Sequence, residues 1–262
     1  ALTVPPLANA LNIPHMNPEV VYVADDPGLG EYRKDFANQV FLFEERIPDE
    51  SEKSVNTDKL IKNLQKDNDE LIDQKIVLRA RLLDMLLGDW DRHEDQWRWD
   101  KTKTDKQVLY TPIPPDRDQV YYQTSGIFPW IVSHQWLKSK FQPYKDEIRD
   151  INGWNFNARY FDRSFLNALS QQDWEEQIAY VQQHLPDSLV YRAMKRMPPS
   201  VYEISGKQLA ETFIQRRNRL AKQAIDYYQF ISIYVDIPAS DKHEKLVLDY
   251  RENGEIAVTI YK

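Results

Sequence analysis

Carboxylate, imidazole and amide side chains are concentrated in one short segment of the sequence. Residues 84–99 read DMLLGDWDRHEDQWRW, in which an apolar run ends at Gly88 and an acidic, aromatic run follows. Phosphoryl transfer needs an aspartate that orients the attacking hydroxyl and accepts its proton, and side-chain oxygens that hold Mg²⁺. Asp91 and Gln96 are five residues apart. This is the spacing at which enzymes that transfer phosphate place the base and the metal-binding amide in one loop. We therefore interpret Asp91 as a candidate catalytic base and Gln96 as a candidate metal ligand.

Two further aspartates follow the apolar segment VLYTPI at 108–113, which predicts a strand. Asp116 and Asp118 lie in the loop after this segment. Phosphoryl transfer also requires an aspartate that bridges the metal to the phosphates. Asp116 and Asp118 are both candidates for that role.

The acidic segment has two other interpretations that stay open from the sequence. Its carboxylates could form a solvated helix end with local ion pairs. Alternatively, Asp91, His93 and Glu94 could hold Zn²⁺ or a similar ion, because imidazole and carboxylate are both suitable ligands.

The elements that would position these residues are helices and a few strands. Residues 5–12 predict a short helix with Pro at its start, and apolar periodicity predicts helix over 57–87 with a break at 67–69. The segments VVYV at 20–23 and QVFLFEE at 39–45 predict two strands joined by a turn-rich segment. Glu44 and Glu45 end the second of these strands.

The second half of the chain is mostly helical in pattern. Ser170 and Asp173 predict a capping box for a helix that extends to about His184. Ser205 predicts the cap of a long amphipathic helix. The polar stretch 47–56 predicts a surface loop.

The last residues change character. Apolar and polar residues alternate over 245–261 around an Asn253-Gly254 pair, which is typical of a two-residue hairpin turn. We therefore expect an α+β fold that is mainly helical and has a C-terminal β-hairpin.

Composition restricts the class of protein. Hydrophobic residues make up 42% and charged residues 29% of the 262-residue chain, as in globular domains. No apolar run approaches the roughly 18 residues of a membrane span, and the first residues lack the basic and apolar regions of a signal peptide. A formal net charge of −7 argues against nucleic acid as a partner, and the absence of Cys excludes disulfides and thiolate metal sites.

The chemistry-bearing motifs also resemble those of atypical kinases. DMLLGDWDRHEDQW resembles the catalytic loop of type II phosphatidylinositol 4-kinases, where a helix ends in an Asp-Arg-x-x-Asp-Asn-Trp pattern. Secretory-pathway Fam20-type kinases similarly place Asp-Arg-His after a helix. IPPDRDQVY at 113–121 resembles the Ile-Pro-Trp-Asp-x-Asp-x-x-Phe metal loop of the CotH spore-coat kinases.

The resemblance to the CotH kinases extends upstream. LANALNIP, VVYV and FLFEE are similar in order and spacing to the CotH helix C, the strand after it and the hinge strand. The resemblance covers roughly residues 5–122, with the strongest motifs at 84–97 and 112–119. The whole chain also resembles an internal region of large Bacteroidetes proteins that are described, after another domain, as calcineurin-like metallophosphoesterases.

This resemblance implies a partial protein-kinase-like fold that binds ATP with Mg²⁺ or Mn²⁺. Position by position, it implies that Asp91 is the catalytic base and that Gln96 stands where the family has a metal-binding Asn. It implies that Asp116, with Asp118 close behind, bridges the metal. The backbone of Glu44 and Glu45, at the end of the hinge strand, would meet the adenine.

The sequence departs from the kinase pattern in two ways. The side chain of Gln96 is one methylene longer than that of Asn, so its carbonyl oxygen must reach Mg²⁺ from a displaced backbone or not at all. No Gly-rich strand pair and no phosphate-pairing Lys precede the helix at 5–12. We therefore expect these 262 residues to be a domain of a larger protein and to transfer little phosphate by themselves.

The resulting expectation is ATP-dependent phosphotransfer to a hydroxyl of a lipid, protein or small molecule, performed by the full-length protein. The main rival is a pseudokinase or structural binding module beside a phosphoesterase domain, which Gln96 and the missing Lys favour. A metal-dependent hydrolase that uses the same acidic pocket is a third class.

We expect three parts in the chain. Residues 1–50 would be the end of a kinase-like N-lobe, and 51–240 a helical C-lobe with the catalytic-type loops. Residues 241–262 would be a β-hairpin that leads to a covalently linked neighbouring module. The expected partner is a hydroxyl-bearing substrate, with no nucleic acid and no membrane span in this chain, and the resemblance is compatible with the cell envelope.

Overall fold

The computed structural model describes residues 1–45, 53–115, 117–124, 139–237, 239–252, 254 and 256–261. The described helices are α1 (Val4–Ala10), α2 (Arg33–Phe36), α3 (Thr57–Lys66), α4 (Gln74–Leu87), α5 (Ile151–Trp154), α6 (Arg159–Phe165), α7 (Gln171–His184), α8 (Asp187–Met194), α9 (Pro199–Val201) and α10 (Lys207–Ile231). The described strands are β1 (Glu19–Val23), β2 (Gln39–Phe43), β3 (Ser54–Asn56), β4 (Glu70–Ile72), β5 (Arg98–Lys103), β6 (Val108–Ile113), β7 (Lys245–Tyr250) and β8 (Ile256–Tyr261). The fold is mixed α+β, and helices occupy more of the described chain than strands do.

Helix α4 lies at the centre of the hydrophobic core. From Val77 to Leu87 every residue except Arg79 is buried, because apolar side chains occur on all faces of this helix. Helices α7 and α10 pack against it. At its start, the Asp73 carboxylate accepts a hydrogen bond of 3.1 Å from the backbone N–H of Ile76, which caps the helix.

A four-stranded sheet with the order β3–β5–β6–β4 carries the segments on either side of the candidate site. Strands β5 and β6 are antiparallel, and Arg98 at the start of β5 pairs with Ile113 at the end of β6. The loop that precedes β5 and the loop that follows β6 therefore lie at the same end of the strands. These are the loops that contain Asp91 and Asp118.

Aromatic stacking fixes this sheet on the helices. The rings of Trp97 and Phe161 stack with centroids 4.6 Å apart, and those of Trp99 and Phe165 with centroids 5.2 Å apart. Both tryptophans are fully buried. Large stacked rings of this kind hold strand β5 in one position relative to α6.

Strands β1 and β2 form a separate antiparallel pair, with Glu19 opposite Phe43. Most of its side chains are exposed, including Tyr22, Val40 and Phe43. The strand predicted at 39–45 ends at Phe43 in the structure, so Glu44 and Glu45 follow the strand.

Several short elements differ from the sequence-based predictions. Strand β3 occupies the end of the predicted loop 47–56, and strand β4 follows the predicted break at 67–69. Strand β5 was not predicted. Ser205 does not cap the long helix, because its hydroxyl donates to the Val201 carbonyl within a π-helical turn at Tyr202–Gly206.

The C-terminal hairpin has the predicted strands, β7 and β8. The strands are antiparallel, with Lys245 opposite Tyr261 and Tyr250 opposite Ile256. Asn253 of the predicted turn lies outside the described residues, and Gly254 has a φ of +83°. Within the described part of the chain, no helix combines the length and the apolarity that crossing a bilayer requires.

Candidate functional site

The candidate site begins where helix α4 ends. Gly88 has a φ of +74°, a left-handed conformation that glycine adopts without steric cost. A β-carbon at this position would lie 2.6 Å from Cδ2 of Tyr144, which packs against the turn. The Tyr144 hydroxyl donates to the Leu86 carbonyl at 2.8 Å. These contacts fix the direction in which the segment 89–96 leaves the helix.

Asp84, in the last turn of α4, is the centre of a buried ionic cluster. Its carboxylate lies 3.0 Å from Nη1 of Arg81, 3.2 Å from Nε of Arg92 and 2.8 Å from Nη1 of Arg117. Burial by itself would raise the pKa of Asp84, but the three guanidinium groups, Arg117 first, hold it below its usual value. Asp84 therefore stays ionised and holds together groups from three segments of the chain.

The cluster extends in both directions along the chain. Arg92 donates to Asp89 at 2.7 Å, and Arg81 donates to Asp162 at 2.9 Å and to Asn155 at 2.6 Å. Burial raises the pKa of Asp89 in spite of the adjacent Arg92 guanidinium, and Asp84 adds to that rise. A buried cluster in which opposite charges are matched in this way orders the backbone that carries them.

Arg92 joins the two loops that the sequence analysis singled out. Its Nη1 donates to the Gln96 carbonyl at 3.2 Å and to the Pro115 carbonyl at 2.8 Å. Pro115 and Arg117, on either side of Asp116, are thus both held by the buried cluster. Asp116 itself lies outside the described residues.

Asp91 is half-buried and is held by a residue distant in sequence. Its Oδ1 accepts a hydrogen bond of 2.9 Å from Nδ2 of Asn157. The amide oxygen of Asn157 in turn accepts from Nζ of Lys140 at 3.2 Å. The Lys140 ammonium also lies 5.0 Å from the ring centroid of Trp90, within cation–π range. The hydrogen bond from Asn157 therefore orients the Asp91 carboxylate, and a cation lies two hydrogen bonds away from it.

Asn157 and Lys140 were missed by the sequence analysis. Asn157 is 66 residues from Asp91, and no local pattern marks either residue as part of a site. A tertiary contact of this kind gives no periodic or spacing signal.

Glu44 lies beside the loop that follows β6. It is half-buried and lines a cavity of about 20 Å³ together with His15, Pro114 and Arg117. Glu45 is exposed. The cavity is too small to hold a nucleotide.

Arg117 presents unused donors at this cavity. Its side chain is 5% exposed, and its Nε and Nη2 are buried without a hydrogen-bond partner in the described part of the chain. Burial lowers the pKa of Arg117, and Asp84 opposes that shift. Buried guanidinium N–H groups without acceptors suit an anionic oxygen, such as that of a phosphate.

The remaining candidate metal ligands do not form a ready site. Gln96 is half-buried and Asp118 is exposed. Among the residues that the structure describes, no three His, Asp or Glu side chains are grouped so that they could hold a metal. Asp91, His93 and Glu94 therefore do not form the three-ligand zinc site considered above; Nδ1 of His93 lies 3.7 Å from Asp95 instead.

Comparisons with known proteins give one match in structure. No protein-family model matches the sequence, and the search of curated proteins found no relative. The structure is similar to the crystal structure of a Helicobacter pylori proinflammatory kinase, CtkA, with a TM-score of 0.48 and 14% sequence identity. The match covers 90% of this chain and 81% of that one. At this identity and TM-score the match establishes neither a shared fold nor a shared activity.

Proposed function

We propose that the chain is a kinase-like domain and that the full-length protein transfers phosphate from ATP, with Mg²⁺ or Mn²⁺, to a hydroxyl group. The observation that carries this proposal is the hydrogen bonding of Arg92 to the carbonyls of Gln96 and Pro115. One buried guanidinium thereby links the loop of the candidate base to the loop of the candidate metal ligands. Phosphoryl transfer requires both loops at one site.

In this proposal Asp91 orients the substrate hydroxyl and accepts its proton. The hydrogen bond from Asn157 leaves one carboxylate oxygen of Asp91 for the hydroxyl and restricts the rotation of the group. A positioned base of this kind contributes through orientation as much as through basicity. Asn157 is therefore a positioning residue for Asp91.

Gln96, Asp116 and Asp118 would hold the metal ion, and the backbone at Glu44 and Glu45 would meet the adenine. The donor set fits Mg²⁺ or Mn²⁺, because amide and carboxylate oxygens are the ligands that these hard ions prefer. When bound, the metal neutralises charge on the phosphates. The buried donors of Arg117 that lack an acceptor in the described part of the chain would contact a phosphate oxygen.

The pseudokinase is a second candidate, and one observation favours it. Gln96 stands where the kinase pattern has a metal-binding Asn, and its side chain is one methylene longer. In that case the same loops would form a binding or spacer module that does no chemistry.

The metal proposal is tested by calorimetric titration of the 262-residue chain with Mn²⁺ in a buffer without ATP, because ATP itself chelates the ion. We expect Asp116→Ala, or Asp118→Ala if that residue bridges the metal, to abolish the binding heat. His93→Ala should leave it unchanged, because Mn²⁺ prefers carboxylate oxygen over imidazole. Asp105→Ala, which removes an exposed aspartate from a turn elsewhere, is the matched control.

Two results would contradict the metal proposal. Binding that persists in both aspartate variants would place the metal elsewhere. Binding that is lost only in His93→Ala would favour a zinc-type site.

A further inference from the structure

The structure contains a second concave feature that the phosphotransfer proposal does not use. It is a groove of about 950 Å³ with walls from α3, β4, β6, α6 and the segment after α10. Asp91, Gln96 and Asp118 are not part of its lining. Its volume is at the upper end of the range for ligand pockets.

The floor of this groove is apolar. It includes Ile61, Leu64, Leu109, Phe165 and Leu169. At its edge, Val235 and Ile237 are 51% and 38% exposed, so apolar surface also remains uncovered at the opening. A concave apolar surface of this kind is suited to anchor side chains of a partner.

The rim of the groove is strongly acidic. Six carboxylates line it: Asp67, Glu70, Asp73, Glu94, Asp236 and Glu244. Among the described residues of the lining, the positive charge is that of Lys75. Its Nζ lies 3.2 Å from the carboxylate of Asp173, which is outside the lining, so Lys75 is paired away from the groove.

Three of these carboxylates, those of Asp67, Asp73 and Glu244, accept hydrogen bonds from backbone N–H groups, but no cation of the described chain offsets their charge. Within the described part of the chain, none of the six takes part in an ion pair, and Oε2 of Glu70 is buried without a hydrogen-bond partner. An apolar floor inside an unneutralised acidic rim is complementary to a ligand that is both apolar and cationic.

We propose that this groove binds a peptide segment whose apolar anchor residues are flanked by Lys or Arg. Helical peptides present such anchors at positions i, i+3, i+4 and i+7, and their basic residues would meet the carboxylates of the rim. The same acidic rim repels nucleic acid and acidic peptides. The proposal does not depend on phosphotransfer at Asp91.

The test uses a fluorescein-labelled peptide, KLLKKLLKLLKK, and fluorescence anisotropy on the 262-residue chain. We expect saturable binding that weakens about tenfold in the triple variant Asp67→Asn, Glu70→Gln, Asp236→Asn, and that weakens with added salt. The control variant, Asp105→Asn, Glu175→Gln, Glu203→Gln, makes the same change in charge at exposed positions outside the groove and should bind like the parent.

Two further peptides separate charge from apolar contact. KSSKKSSKSSKK keeps the charges without the anchors, and ELLEELLELLEE keeps the anchors with the opposite charge. We expect neither of these two peptides to bind. We expect Ile237→Ser to weaken the binding of KLLKKLLKLLKK. Hydrogen exchange in the complex should show protection at 61–72 and 161–169.

Three outcomes would overturn the proposal. In the first, the triple variant binds the peptide as tightly as the parent does. In the second, KSSKKSSKSSKK binds as tightly as KLLKKLLKLLKK, which would show that overall charge alone explains the binding. Sedimentation could also show a dimer that the triple variant loses, in which case a second copy of the chain occupies the groove.

Discussion

Asp84 and Asp91 are seven positions apart and are held in opposite ways. Asp84 is fully buried among three guanidinium groups, whereas Asp91 is half-buried with one amide donor, Asn157. Removal of the Asp84 carboxylate leaves three buried guanidinium groups without their central partner, which is costly in a protein interior. Replacement of the Asp91 carboxylate by an amide leaves a half-buried polar group that can still accept from Asn157. The first carboxylate therefore supports the loop, and the second is available for chemistry.

This difference predicts separate effects of two substitutions. Asp84→Ala should lower the free energy of unfolding by about 3–5 kcal/mol, the usual cost of breaking a buried ion pair. Asp91→Asn should lower it by less than about 1 kcal/mol, because the amide oxygen still accepts from Asn157. Urea denaturation followed by circular dichroism measures both. Equal losses in the two variants would show that Asp91 is also a structural residue.

At the scale of elements, local signals predicted the longer helices and the hairpin, and failed for the short strands. The capping box at Ser170 and Asp173 is present, and α7 ends at His184 as predicted. Strands β3 and β4 have three residues each and depend on partners far along the chain, such as Trp99 opposite Val55. Such strands have no periodic pattern of their own, because pairing and burial define them.

The candidate site likewise contains residues that a local pattern indicates and residues that only tertiary contacts reveal. The spacing of Asp91 and Gln96 and the position of Asp118 after a strand made these residues candidates. Asn157, Lys140 and the role of Arg92 depend on tertiary contacts, so the sequence alone could not identify them.

Two serines test the capping prediction directly. Ser170→Ala should cost about 1 kcal/mol of unfolding free energy at pH 7, because the Ser170 hydroxyl accepts from the Asp173 backbone N–H and donates to its carboxylate. Ser205→Ala should change it by less than about 0.5 kcal/mol, because Ser205 caps no helix. Both values come from urea denaturation.

The effect of Ser170→Ala should also depend on pH. Hydrogen bonds from Ser170, with the help of Lys75, lower the pKa of Asp173. A lowered pKa stabilises the fold above the unfolded-state pKa of about 3.9, and this contribution is lost as the pH falls through the folded-state pKa. The difference between Ser170→Ala and the parent should therefore shrink below about pH 4. A difference that grows on acidification would contradict this assignment.

At the scale of the whole molecule, the C-terminal hairpin stands apart from the helical core. Strands β7 and β8 pair with each other in a two-stranded sheet, and most of their side chains are exposed. The described contacts to the rest of the chain include a hydrogen bond from the Asp241 backbone N–H to the Gln65 carbonyl at 2.7 Å. An isolated two-stranded hairpin contributes little stability in water. The boundary near residue 240 stays a prediction.

Deletion of residues 240–262 should therefore lower the melting temperature only slightly and leave Mn²⁺ binding unchanged. Peptide binding in the groove should weaken, because Glu244 and Ile260 belong to its lining. Differential scanning fluorimetry and the titrations described above test these points together. A deletion variant that loses its helical circular dichroism signal would show that the hairpin is part of the core.

The most direct measurement of the central claim is transfer of labelled phosphate from γ-³²P-ATP in the presence of Mg²⁺. It is made in parallel on the 262-residue chain and on the full-length gene product, each as parent and as Asp91→Asn. We predict transfer to a hydroxyl by the full-length parent, its loss in Asp91→Asn with the fold intact, and little transfer by the 262-residue chain. No transfer by the full-length parent, or undiminished transfer by its Asp91→Asn variant, would contradict the account.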